Sequence, residues 1–193
     1  MTGKLIFTPR GQSQSPQDPS VSFNIPSMGV SFYPDVYLSA FPGGAGAARL
    51  VIAPDSPSLP IVDSSTYTAL PDGGELAQSP TVLLPTSFRS GVNVAVIGKS
   101  GERTNILVMT GSQDTIIYWK YRDQNGTVLG TSAKSYSHDA TYQFAVSDLF
   151  GLTPVANGSV EATIQSGSAW LALSPVNNVS NQGRWLDFQP VPQ

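Results

Sequence analysis

The chain has 193 residues, of which 40% are hydrophobic and only 12% charged, against about 25% charged in an ordinary soluble domain. That is enough apolar material for a buried core, so a disordered tail is excluded. A net charge of -3 argues against a dedicated nucleic-acid binder, which needs a positive field to displace phosphate counterions, and a single histidine with no cysteine excludes multi-histidine metal sites, disulfides, thiolate clusters and thiol nucleophiles.

In chain order, Met1–Arg10 shows neither the apolar stretch nor the small-residue cleavage site of a signal peptide. No run approaches the roughly 18 apolar residues of a spanning helix, so no membrane insertion is expected. Strand patterns then dominate: Val21–Ile25, Val30–Tyr33, Ala48–Ile52, Leu59–Val62, Thr81–Leu84, Val92–Ile97, Asn105–Met109, Ile116–Arg122, Tyr142–Val146, Val160–Ile164, Ala169–Leu173 and Trp185–Phe188. They recur between turn residues at the spacing of a sandwich or barrel. Within Ile116–Arg122, period-two alternation puts Trp119 on one face with Ile117 and Tyr121, and Tyr118 on the other with Lys120. Trp119 and Trp170 therefore read as core and Tyr118 as surface. Asn125-Gly126 predicts a hairpin with a type I′ turn. Helical turns are expected only at Pro34–Phe41 and Ser147–Gly151, capped by Asp or Ser and stopped by Gly or Pro.

The strand patterns contain an internal repeat. Leu5-Ile-Phe7 overlies Ile117-Tyr-Trp119 at an offset of 112, and Val30–Asp35 overlies Gln143–Asp148 at 113. Gly46–Ile52 overlies Gly158–Ile164 at 112, and Leu59–Ser64 meets Trp170–Ser174 near 110. These matches predict two copies of one β unit, residues 1–83 and 84–193, with the junction near Pro80–Pro85. The second copy is preceded by two further strand patterns in Phe88–Met109. Their counterparts in the first copy would fall before residue 1, so the first unit is expected to lack one or two N-terminal strands. Three sources remain open for the missing edge: a longer parent protein, the C-terminal segment Trp185–Val191, or a strand donated by a neighbouring subunit.

In order, Thr104-Asn-Ile-Leu107, Tyr121–Gly130, Asp148-Leu-Phe-Gly151, Gly158-Ser-Val-Glu161 and Ser174-Pro-Val-Asn-Asn178 resemble tandem β-sandwich repeats of large secreted or surface bacterial proteins. Asp35–Phe41 and Ser64-Ser-Thr-Tyr67 are similar to a sister repeat. The resemblance covers most of residues 4–190. It implies an all-β fold of two tandem immunoglobulin-like sandwiches and an extracellular setting, and it carries no established activity and no catalytic residues. Pro175 and Asn177 stand where the repeats have Val and Asp, so no role passes to that acidic position.

Candidate chemistry is sparse. Gly98-Lys-Ser100 lacks the earlier glycine of a phosphate loop, since Asn93 stands there, and Gly43–Gly46 lacks the third glycine of a dinucleotide fingerprint, replaced by Arg49. His138-Asp139 reads as an exposed turn, because neighbours on a strand point to opposite faces. Asp123–Gly126 and Pro71–Glu75 offer oxygens a calcium ion accepts, but neither matches a calcium loop with alternating acidic positions, and hairpin turn chemistry explains both. Asn125, Asn157 and Asn178 match glycosylation acceptors and read as turn residues. No catalytic residue, cofactor or metal ligand is therefore expected.

Tyr118 and Trp185 are the candidates for glycan or partner contact. The reading is a non-enzymatic structural or adhesive module of an extracellular or cell-surface protein or filament, with a protein partner or self-assembly by strand donation. A carbohydrate-binding module and a viral capsid-type subunit are the alternatives.

Overall fold

The computed structural model describes residues 1–34, 36, 41, 46–56, 60–62, 66–69, 75–78, 83–97, 102–177 and 183–191. Strands form where β-branched and aromatic residues alternate with polar ones, so that the two faces of the pleat meet different surroundings. The first are β1 (Thr2–Pro9), β2 (Ser20–Asn24), β3 (Gly46–Ile52), β4 (Thr66–Ala69) and β5 (Glu75–Gln78). β1 lies between β2 and β3, and β4 pairs with β5. A 3-10 turn at Pro85–Ser87 leads into β6 (Arg89–Val96), β7 (Glu102–Thr110), β8 (Thr115–Arg122), β9 (Val128–Tyr136) and β10 (Thr141–Ala145). The helix α1 (Val146–Phe150) follows, then β11 (Ser159–Asn177), β12 (Leu186–Asp187) and β13 (Gln189–Pro190). Every strand pairing is antiparallel, and the class is all-β, as the strand patterns predict.

The 19 residues of β11 organise the large sheet. Its first part, Ser159–Ile164, lies between β6 and β8, with β13 beyond β6 and β9 beyond β8. Its second part, Ala169–Asn177, pairs with β7, which carries β10, and touches β12 at Ala172 and Leu173. The register shifts between the two parts, where Gly167 takes φ 72°. The sequence patterns predict two strands here, Val160–Ile164 and Ala169–Leu173. They are one, because glycine accepts the left-handed conformation and a bulge bends a strand without ending it.

The inward rows of both parts meet in a single buried cluster. It includes Ile106 and Val108 of β7, Ile117, Trp119 and Tyr121 of β8, and Val160, Ala162, Leu171 and Leu173 of β11. Trp119 is fully buried, as its alternation predicts. Phe144 and Phe188 meet its ring edge-on at 6.2 and 6.1 Å, the geometry favoured by the ring quadrupole. Its indole N–H donates to the Tyr136 hydroxyl at 3.2 Å, so the polar atom that enters the core is satisfied. Trp170 is only partly buried, against its reading as core, because it follows Ala169 in the strand and alternation turns it away from the cluster.

Several other expectations change. The C-terminal segment does not complete the small sheet: β12 pairs with β11, β13 pairs with β6, and Phe188 packs on Trp119. Residues 30–33, 60–62 and 83–84 carry no strand; Leu59 and residues 81–82 lie outside the described residues. The hairpin after β8 is present, but Gly126 alone takes positive φ, at 82°. The Gly126 N–H donates to the Asp123 carbonyl at 3.1 Å, and the Asp123 N–H to the Thr127 carbonyl at 3.0 Å. This is a type I turn with a glycine bulge rather than type I′. Helix α1 ends as predicted on Gly151, at φ 68°, whereas its N-cap is Ala145 with no side-chain cap. Pro34–Phe41 lies mostly outside the described residues.

The small sheet has the same order as part of the large one. β2-β1-β3 and β9-β8-β11 both place a hairpin strand, a central strand and a later antiparallel strand in that sequence. In the first, Phe7 faces Ala48 and Leu5 faces Leu50; in the second, Trp119 faces Ala162 and Ile117 faces Ile164. The pairing relates β3 to β11 at an offset of 114, two residues from the sequence match. An even slip leaves every side chain on its own face. The loop after β1 covers the outer edge of β10: the Gly11 N–H donates to the Thr141 carbonyl at 2.7 Å, and Ser13 bridges to Ala140.

Truncating Trp119 to Ala is expected to cost about 3–5 kcal/mol in urea unfolding followed by circular dichroism, while Tyr118→Ala stays within about 0.5 kcal/mol. Equal losses would contradict the assignment of the two faces. Gly167→Ala is expected to cost about 1–3 kcal/mol in the same assay, because φ is positive and a Cβ there would lie 2.5 Å from the Thr115 hydroxyl oxygen.

Candidate functional site

One outward polar surface is the face that β8, β9 and the first part of β11 turn away from the core. Period-two alternation places Tyr118, Lys120 and Arg122 on it, opposite Thr163, Glu161 and Ser159 of β11. Thr131 and Ala133 of β9 flank Lys120 and Tyr118 on the other side. Tyr118 is 44% exposed. Glu161 is the charged centre: Lys120 Nζ lies 2.9 Å from one carboxylate oxygen and Arg122 Nη2 3.3 Å from the other. The Lys120 ammonium, and secondarily the Arg122 guanidinium, hold the Glu161 carboxyl below its ordinary value despite partial burial, which acts the other way. The face combines an exposed aromatic ring with a neutralised acid and flanking hydroxyls, suited to hydrogen bonding and ring stacking rather than to proton transfer.

Trp185 does not join this surface in the sheet order. It precedes β12, which pairs with the second part of β11, whereas Tyr118 pairs with the first part, across the Gly167 bulge. Trp185 is partly buried, and its indole N–H is enclosed without a partner among the described residues. The two candidates for glycan contact therefore sit on separate parts of the sheet.

A second polar cluster lies where the β7–β8 and β9–β10 turns meet the β11 bulge. His138 Nδ1 lies 2.8 Å from Asp114 Oδ1, and the His138 backbone N–H donates to the same oxygen at 2.9 Å. His138 thus pairs with Asp114, not with its neighbour Asp139, which holds the turn at φ 48°. The hydrogen bonds from His138 keep the Asp114 carboxyl below its usual range. Behind it, buried Thr110 accepts the Ala140 N–H at 2.9 Å and lies 2.6 Å from the Ser137 carbonyl. Buried Thr115 contacts the Ser168 carbonyl at 3.2 Å. These bonds hold three turns together. The link between His138 and Asp114 spans 24 residues, which no local spacing reveals.

Asp123 Oδ1 accepts the backbone N–H groups of Asn125 and Thr127, each at 2.9 Å, so it serves the turn. Asn157 occupies a turn at φ 59°. Gly98–Ser100, Gly43–Ala45, Pro71–Gly74 and Asn178 lie outside the described residues. A cavity of about 10 Å³ lined by Arg89, Asn93, Trp170 and Phe188 has room for about one water molecule. Among the described residues no group of three or more His, Asp or Glu is placed to hold a metal ion, and no helix is long and apolar enough to cross a membrane.

No family model matches the chain, and no curated protein does. A solved structure described as Thermotoga maritima 1070 is similar at 13% identity with a TM-score of 0.42, covering 53% of this chain and 95% of that one. A likeness at that level bears on neither fold nor function.

Because the Glu161 carboxyl is held down in the folded state, its contribution is complete above its ordinary value of 4.5 and is lost as pH falls through the lower folded value. Glu161→Gln is expected to destabilise by up to about 1 kcal/mol at pH 7, the gap to wild type closing progressively below pH 4.5. Urea titrations across that range measure it; a gap that widens in acid would contradict the pairing.

Proposed function

We propose that the chain is a non-enzymatic structural or adhesive module made of two related immunoglobulin-like β-sandwich units, residues 1–83 and 84–193, in an extracellular or cell-surface protein or filament. The observation that carries this reading is the shared strand order of β2-β1-β3 and β9-β8-β11, with an aromatic residue facing an alanine in each: Phe7 opposite Ala48 and Trp119 opposite Ala162. Tandem sandwiches of this kind transmit load and present surfaces, and their stiffness comes from a sheet ladder closed over aromatic side chains. The polar groups brought together by folding support the same reading, since Thr110, Thr115, Asp114 and Asp123 are engaged with backbone groups of turns. A composition of 12% charged residues and no cysteine agrees with an exposed bacterial surface array. Strand donation between subunits is the form of assembly this reading favours.

A second reading, carbohydrate binding, draws on Tyr118, exposed beside the Lys120–Glu161 pair. Sugar rings stack on such a residue while flanking hydroxyls and charges hydrogen-bond the sugar.

Antibody labelling of intact cells that carry the whole parent gene tests the surface reading. Labelling of intact cells is expected, and labelling only after lysis would overturn it. A glycan array separates the two readings: retention on any glycan, lost in Tyr118→Ala, establishes the carbohydrate module, and an array with no retained glycan leaves the structural module.

A further inference from the structure

We infer that the outer edge of β9 is a latent pairing edge for a second copy of this chain, and that Lys134 keeps it unpaired. This device belongs to the large sheet alone, so it goes beyond the proposed function and stands whether or not the two parts of the chain are related. The edges of the large sheet are finished in different ways. β10 pairs with β7 on one side, and the loop after β1 covers its other side through Gly11 and Ser13. β13 is two residues long and ends on Pro190. β9 has nine residues and pairs with β8, and among the described residues no strand lies on its other side. Alternate N–H and C=O groups of an antiparallel strand point away from its partner, so β9 presents a row of backbone groups that can template another strand. The same strand of a second copy meets it in the simplest two-fold contact.

The composition of β9 does little to prevent such pairing. Thr131, Ser132 and Ala133 are small, Val128 and Leu129 are 45% and 39% exposed, and Lys134 is the one charged residue of the nine. Its placement is unusual for a lysine. Opposite residues of a ladder share a face, and Lys134 stands opposite Ile117, which is fully buried. The side chain therefore leaves β9 on the core side. It reaches across to β10, where its ammonium lies over the Phe144 ring, 5.4 Å from the centroid, and the negative ring face attracts it. Phe144 is itself only partly buried and packs against Trp119 and Tyr136. The lysine stem shields the rim of this aromatic cluster while the exposed head keeps its water.

A second strand laid against β9 would set its own core-side row beside Lys134 and strip that water away. The ion pairs among the described residues do not include Lys134, so the charge would be buried without a partner. That penalty outweighs the small net gain of a few ladder hydrogen bonds. A charge pointing inward from an edge strand thus holds off a strand that the backbone alone would accept.

The test follows the whole chain by sedimentation velocity from micromolar to near-millimolar concentration, with amide hydrogen exchange at residues 128–136 locating any contact. In wild type, exchange on β9 is expected not to change with concentration. Lys134→Met keeps an unbranched stem over Phe144 and removes the charge; it is expected to self-associate, with β9 exchange slowing about tenfold at high concentration. Lys134→Val serves beside it, so that one folded variant suffices. Lys134→Arg and Lys134→Glu keep a charge on the core side and are expected to leave β9 unpaired. Lys120→Met puts the same new side chain on the outward face of β8, away from the edge, and is expected to leave β9 unpaired too. The guard is refuted if the folded uncharged variants show no protection of β9, or if wild type already pairs there. It is equally refuted if Lys134→Glu pairs as Lys134→Met does, or if Lys120→Met associates through β9.

Discussion

The bend at Gly167 is the constraint on which the large sheet depends. A straight strand of 19 residues would extend about 60 Å at roughly 3.3 Å per residue, far more than a small sheet can cover on both edges. With Gly167 at φ 72°, β11 serves β6 and β8 with its first part and β7 and β12 with its second. The two inward rows then close over Trp119. The Thr115 hydroxyl contacts the Ser168 carbonyl, and Gly111 N–H donates to the same oxygen at 2.8 Å, so the bend is tied to the turn between β7 and β8. One left-handed residue, two short bonds and one buried ring define the shape together.

The two parts of the chain apply the same local rules to unequal outcomes. Around β8, both neighbours of the central strand are present and the second sheet edge is filled, so the inward row is sealed. Around β1, the neighbours β2 and β3 are in place, and Phe7 finds a stacked partner in Phe41 at 5.3 Å. Among the described residues there, the buried side chains are Phe7, Thr8, Phe23 and Phe41.

Among the described residues, polar side chains hold turns and sheet faces together. The Lys120–Glu161–Arg122 group decorates the outward face, while His138 and Asp114 join two turns at one end. That face carries two cations, one carboxylate and an exposed tyrosine. The depressed Glu161 carboxyl keeps its contacts with Lys120 and Arg122 ionic through neutral pH.

Alternation in Ile116–Arg122 was enough to say which ring is buried and which is exposed, because a strand has only two faces. The order of turn residues located most strands and the stop at Gly151. Spacing alone did not distinguish one bent strand from two in Val160–Leu173, since a glycine between apolar runs reads as either a turn or a bulge. Nor did it pair His138 with Asp114, or send Phe188 to Trp119, because such contacts join residues far apart in the chain. Val30–Tyr33 and residues 60–62 have the residues of strands, yet carry none, because a strand exists only where another backbone completes its hydrogen bonds. Local chemistry decided which segments were able to pair and which face each would bury; the tertiary structure decided which of them had a partner, because pairing is a property of two strands and never of one.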